Sequence, residues 1–172
     1  MKLTAKRVHI FCPGFRKINR LLKSAFPRKE QAPVFLLLMG ALRKNTHFTA
    51  FYDGDKFAGL LYTIENDRYC FILYLAVNPE MRSGGIGGKI LNYAYEQAKN
   101  KIIVLNVESL NSDADNHEQR ERRIAFYARH GICETGYGFS MDGVSYSVLA
   151  SNLSAFDPDE YAEMLGGISL RA

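Results

Sequence analysis

The sequence predicts an α/β fold of the α+β type, a central mixed β-sheet flanked by helices. Three observations predict it. Apolar residues recur at helical spacing near the start of the chain. Short strand-like runs follow, separated by Asp53-Gly54 and Asn66-Asp67 turns. A strand–loop–helix–strand unit, Arg68 to Glu108, then reads as a right-handed crossover between parallel strands.

Phe15 to Ala25 places Ile18, Leu21, Leu22 and Ala25 on one helical face, and Pro27 ends that helix. Pro33 reads as the first position of a second helix, Val34 to Arg43. His47–Tyr52, Lys56–Glu65 and Arg68–Val77 read as a meander of strands, the last apolar on both faces and therefore central. Pro79 ends it. A glycine-rich loop opens a helix from about Gly87 to Asn100, with Ile86, Ile90, Leu91, Ala94 and Ala98 as its buried stripe. Lys101–Glu108 reads as a further buried strand, Ser109–His117 as a polar loop, and Gln119–His130 as a helix stopped by Gly131. Gly136–Ser151 reads as a hairpin turning at Asp142-Gly143. Asp157 and Pro158 read as the N-cap and first position of a final helix.

With 172 residues, 47% of them hydrophobic, the chain has material for a single domain over residues 1–172 with a sizeable core. The net charge of +4 favours anionic ligands, but no basic stripe with interleaved aromatics signals nucleic acid. Arg120, Arg122 and Arg123, interleaved with Glu118 and Glu121, read as a solvated helix face. Cys12, Cys70 and Cys133 lie far apart and form no CxxC pair, and the four histidines show no ligand spacing. No metal site is expected, and reduced thiols fit the cytoplasm. The N-terminus carries no signal-peptide pattern, and Val34–Leu42 is too short to span a bilayer, so no membrane role is expected.

The strongest chemical signal is Arg82-Ser83-Gly84-Gly85-Ile86-Gly87-Gly88, between a buried strand and an amphipathic helix. Glycines let backbone approach a ligand closely, and the free N–H groups at a helix N-terminus favour a phosphate. The P-loop pattern fails because Ile90 follows Lys89, and the dinucleotide fingerprint lacks its third glycine. The pattern Arg/Gln-x-x-Gly-x-Gly/Ala is met in full by Arg82, Gly85 and Gly87.

At these residues the chain resembles the GNAT superfamily of acyl-CoA-dependent N-acyltransferases. Arg123 to Ile132, with Phe126-Tyr127 followed by Gly131, is similar to the superfamily's later helix, and the order of elements agrees. The resemblance implies acetyl-CoA as the donor, coenzyme A as the product, and direct attack by a primary amine, expected to be a small molecule. It implies that backbone groups of Leu75, Ala76 and Val77 hold the pantetheine arm as an added strand would. Amides from Arg82 through Ser83, Gly84, Gly85, Ile86 and Gly87, with Gly88, hold the pyrophosphate. Tyr127 protonates the departing thiolate. Glu108 at the end of its strand is the candidate base for the ammonium proton. Tyr74 and Glu30 are candidates to line the acceptor site. The family often carries an asparagine seven residues before the tyrosine. Arg120 stands there in this chain, with Asn116 and Asn111 as alternative pantetheine contacts. A homodimer is compatible with this reading. The alternative is a non-catalytic acyl-CoA-binding or partner-binding module of the same fold.

Overall fold

The computed structural model describes residues 3–12, 14–82, 84–110 and 117–169. Among them are seven strands: β1 Thr4–Arg7, β2 Thr46–Asp53, β3 Lys56–Glu65, β4 Tyr69–Val77, β5 Ile102–Glu108, β6 Cys133–Met141 and β7 Val144–Ala150. Five α-helices accompany them: α1 Phe15–Ala25, α2 Val34–Gly40, α3 Ile86–Ala98, α4 His117–Ala128 and α5 Pro158–Ser169. The strands form one mixed sheet in the order β1-β2-β3-β4-β5-β7-β6, which puts β4 in the middle. β4 and β5 are parallel, whereas β1–β2, β2–β3, β5–β7 and β6–β7 are antiparallel.

The apolar patterns account for most elements. Ile18, Leu21 and Leu22 are the buried side of α1. The helix ends where Phe26, the residue before Pro27, turns extended at φ −126° and ψ 146°. Asp157 caps α5, its Oδ1 accepting from the amides of Asp159 and Glu160 at 3.0 and 3.1 Å.

Four expectations are corrected. β1 goes beyond the elements the sequence predicts: its residues are all exposed, and it is held by main-chain pairing along β2. α2 ends at Gly40 rather than Arg43, because the chain turns at 41–45 before entering β2. Pro33 stands at the N-cap of α2, where its carbonyl accepts from Leu36 and Leu37. α4 runs two residues earlier than expected at each end, and Gly131, at φ 77°, closes its C-terminal end with a Schellman turn. The Gly131 amide donates to Ala128 at 3.0 Å and that of Ile132 to Tyr127 at 3.0 Å.

Internal packing divides the chain into two compact units. The first comprises Met1–Glu65 with Ile72–Gln97. Its core gathers Ile18 and Leu22 of α1, Leu37 of α2, and Phe48, Leu60, Tyr62, Tyr74 and Ala76 of the strands. The second comprises Asn66–Phe71 with Ala98–Ala172. Here Tyr161 of α5 meets the rings of Tyr69, Phe71, Tyr137 and Phe156, and its hydroxyl donates to Asn106 Oδ1 on β5.

Candidate active site

In the first unit, one continuous stretch joins a strand edge to a helix N-terminus. The β4–β5 ladder covers Tyr69↔Ile102, Cys70↔Ile103 and Phe71↔Val104. Ile72 to Val77 lie beyond it. Along this half of β4 burial alternates, with Tyr74 and Ala76 inside and Leu73, Leu75 and Val77 half-buried. Gly59 of β3 lets the neighbouring strand come close. A Cβ there would stand 2.5 Å from the Ala76 carbonyl oxygen and 2.8 Å from Ile90 Cδ1 of α3. Asn78 then fixes the exit of the strand. Its amide donates to Ala58 at 2.9 Å, its Nδ2 donates to Phe57 at 2.8 Å, and its Oδ1 accepts from Glu80.

A short 3-10 turn, Pro79–Met81, leads to Arg82, which is exposed. Gly85 adopts φ 67°, a left-handed conformation costly for residues with a Cβ. Its carbonyl accepts from Lys89 at 3.2 Å, which makes it the last residue before α3. The amides of Ile86, Gly87 and Gly88 are then the first three of the helix, the positions that have no partner within it. Ile86 is buried and anchors the turn, whereas Gly84 and Gly85 are exposed and no atom outside the turn lies within 4 Å of a Cβ at Gly85. An exposed backbone cradle at the positive end of a thirteen-residue helix fits a phosphate group. Ser83 and Asn116, both expected at the coenzyme, lie outside the described residues, as does Asn111.

The structure brings Tyr74 and Glu30 together through the main chain. The Tyr74 hydroxyl donates to the Glu30 carbonyl and accepts from the Ala32 amide at 3.0 Å. Burial pushes this hydroxyl's pKa up, the Ala32 amide offsets that, and the Glu30 carboxylate adds to it. Beside it lies a recess of about 230 Å³ lined by Asn19, Leu22, Lys23, Gln31, Val34 and Tyr74, among others.

In the second unit, Tyr127 is the buried residue of α4. Its ring meets Phe126 edge-on at 5.2 Å between centroids. Burial pushes its hydroxyl up to about 12, with the Arg123 guanidinium pulling the other way. Among the described residues this hydroxyl has no hydrogen-bond partner. Those of Tyr62, Tyr69, Tyr74 and Tyr161 each donate to a carbonyl or amide oxygen.

Glu108 ends β5 and is 8% exposed. Its Oε2 receives Arg120 Nε at 3.0 Å, and Arg120 Nη1 donates to the Ser109 carbonyl at 2.8 Å. The expectation of a solvated arginine face therefore needs correcting at Arg120, whose side chain is 16% exposed. It holds for Arg122, which is 80% exposed and pairs with Glu118 one turn away. Nothing in the sequence signals Arg120's inward turn, because its partner stands twelve positions away, at no helical or strand spacing.

Among the described residues, no helix is long and apolar enough to cross a membrane, and no group of three or more His, Cys, Asp or Glu side chains could hold a metal.

Residues 15–132 match the model of the Acetyltransferase (GNAT) family. A 70-residue stretch is 37% identical to YjbC of Bacillus subtilis (strain 168), which is assigned as an acetyltransferase; it covers 41% of this chain and 34% of that protein. The chain thus matches about a third of that relative's length. A Bacteroides thetaiotaomicron structure assigned to the GNAT family superposes with a TM-score of 0.71 at 24% identity, over 94% of this chain and 93% of that one. An aminoglycoside 6'-N-acetyltransferase complexed with coenzyme A superposes with a TM-score of 0.64 at 16% identity, over 86% and 95%. At these identities the superpositions speak for the fold.

Proposed function

The chain belongs to the Acetyltransferase (GNAT) family, and on that premise we propose that it is an N-acetyltransferase acting on a primary amine of a small molecule, with acetyl-CoA as donor. The observation that carries the donor assignment is the continuous path from the half of β4 beyond its ladder with β5 to the open N-terminus of α3. Leu75, Ala76 and Val77 would pair with the pantetheine amides, and the amides of Ile86, Gly87 and Gly88, with Arg82, would face the pyrophosphate. Acetyl-CoA supplies the activated acetyl group, which the amine attacks directly. The coenzyme in the aminoglycoside 6'-N-acetyltransferase complex supports this choice of donor.

Tyr127 holds a proton on its Oη. At about 12 this hydroxyl is a weaker acid than an ordinary thiol near 8.5, so complete transfer to a thiolate is uphill by roughly 5 kcal/mol. Its first contribution is therefore a hydrogen bond to the developing thiolate, which needs no transfer. For Glu108 the ion pair to Arg120 supports an anchoring role over that of a base, and the amine's proton then leaves to solvent. The recess beside Tyr74, at about 230 Å³, suits a compact acceptor, and the nearby Glu30 carboxylate favours a cationic one. None of the three cysteines is in a disulfide, which fits a cytoplasmic enzyme.

Calorimetric titration with acetyl-CoA, with NAD and ATP as controls, tests the donor. Selective acetyl-CoA binding that weakens by at least about 100-fold in Gly85→Glu is expected, because a carboxylate then meets the phosphates in a strained turn. No acetyl-CoA binding by the unaltered protein would sink the proposal. Binding without thiol release across an amine panel would leave a binding module.

A further inference from the structure

We propose that Arg120 is a positioning residue for Tyr127: by clamping α4 to the end of β5 it sets where the tyrosine hydroxyl stands. This rests on the catalytic role proposed for Tyr127.

Several observations converge on it. α4 is poorly seated by apolar contacts. Tyr127 is its one buried residue, and Ile124 and Phe126 are half-buried. A helix with so little buried surface can rock or slide unless polar contacts hold it. Its C-terminal end is held, because the Tyr127 carbonyl accepts from the amides of His130 at 2.9 Å and Ile132 at 3.0 Å in the turn at Gly131. Near the other end Arg120 supplies a hold. Nε meets Glu108 Oε2 at 3.0 Å, and Nη1 meets the Ser109 carbonyl at 2.8 Å.

The receiving platform is itself fixed. The Ser109 amide donates to the Ser145 carbonyl at 2.8 Å, Ser109 Oγ lies 3.1 Å from Ser147 Oγ, and Glu108 pairs with Tyr146 across β7. Arg120 and Tyr127 are seven positions apart. At 3.6 residues per turn they share a face about two turns apart, so a shift at one is carried to the other along a rigid rod. Two donors of a planar guanidinium, aimed at two fixed acceptors, define an orientation, which a lysine ammonium as a point charge does not.

The test is a mutant cycle. Arg120→Lys and Arg120→Gln are each made in the unaltered protein and in Tyr127→Phe, and kcat, KM for acetyl-CoA and Tm are measured. In the unaltered background each Arg120 variant should lower kcat roughly tenfold, from misplacement of a group at the reacting centre, with KM for acetyl-CoA unchanged. In Tyr127→Phe the same variants should lower kcat by less than about twofold, because the group they position is already gone. Equal losses in both backgrounds, full activity in Arg120→Gln, or rescue by Arg120→Lys would overturn the clamp while leaving the role of Tyr127 intact. Full activity in Tyr127→Phe alone would overturn the role of Tyr127, and the clamp with it. If Arg120→Gln fails to fold, Glu108→Leu with Arg120→Met removes both buried charges. Its kcat should stay low at a recovered Tm, and a kcat that recovers with Tm would reduce the pair to a stability contact.

Discussion

Around Gly85 the groups proposed to meet a ligand are main chain: the half of β4 beyond its ladder with β5 and the first amides of α3. Around Tyr127 they are side chains, a phenol with no partner among the described residues and a carboxylate held by a guanidinium. The first region is set by steric permission. Gly59 admits the Ala76 carbonyl, and Gly85 permits the left-handed turn. The second is set by long side chains whose reach depends on neighbours far away in sequence. The difference teaches where each is fragile. A backbone site fails when a Cβ appears in the wrong place, and a side-chain site fails when an anchor is lost.

The sharpest way to break this contrast is at Tyr127. Tyr127→Phe removes one oxygen and leaves the ring in its place, so kcat should fall by about 10- to 1000-fold with KM for acetyl-CoA nearly unchanged. Steady-state kinetics over a pH series checks it, and no limb below about pH 10 should belong to this hydroxyl. An equal fall in coenzyme affinity would merge the two regions into one binding surface.

The next largest effect separates two glycines of the backbone region. Gly59→Ala drives a methyl into a main-chain oxygen 2.5 Å away and should cost about 3 kcal/mol of stability. Gly85→Ala meets nothing within 4 Å and should cost about 1–2 kcal/mol, from backbone strain alone. Denaturant midpoints of the two variants measure the difference. Equal costs would mean that the strands relax around Gly59 and that its close approach is not what fixes the end of β4.

The same contrast explains what could be read in advance. Arg82, Gly85 and Gly87 announce themselves in one short run because backbone sites depend on local conformation. The stripe of Ile18, Leu21 and Leu22 announces α1 because burial follows helical spacing. β1 gives no such signal, since Thr4–Arg7 bury nothing and are held by main-chain bonds. The Arg120–Glu108 pair was illegible for the opposite reason. Glu108 reads as a candidate base and Arg120 as part of a solvated helix face until the fold pairs them, and nothing in the residue types says which arginine of Arg120, Arg122 and Arg123 turns inward. Tyr74 fell between these cases. It could be read as a central-strand residue, but the use of its hydroxyl on the Glu30 carbonyl and the Ala32 amide depends on a loop more than forty residues earlier.

The smallest expected effect probes the side-chain region without any ligand. The folded protein holds the Tyr127 proton to about 12, against about 10 in an unfolded chain, because burial disfavours the phenolate. Between those values the folded state binds more protons than the unfolded one, so stability falls as pH rises. The contribution is whole below about pH 10 and is lost as pH passes upward toward 12. Tyr62 and Tyr161 are also raised by burial and add to the total alkaline loss, so the total identifies no single residue. The comparison with Tyr127→Phe isolates one. From about pH 9 to about pH 11.5 the unaltered protein should lose about 2 kcal/mol more than the phenylalanine variant, read from urea unfolding at each pH. Parallel losses would mean that Tyr127 ionises in the folded state as easily as in the unfolded chain. Its surroundings would then be wet, and a phenol in water gives little help to a thiolate that water already solvates.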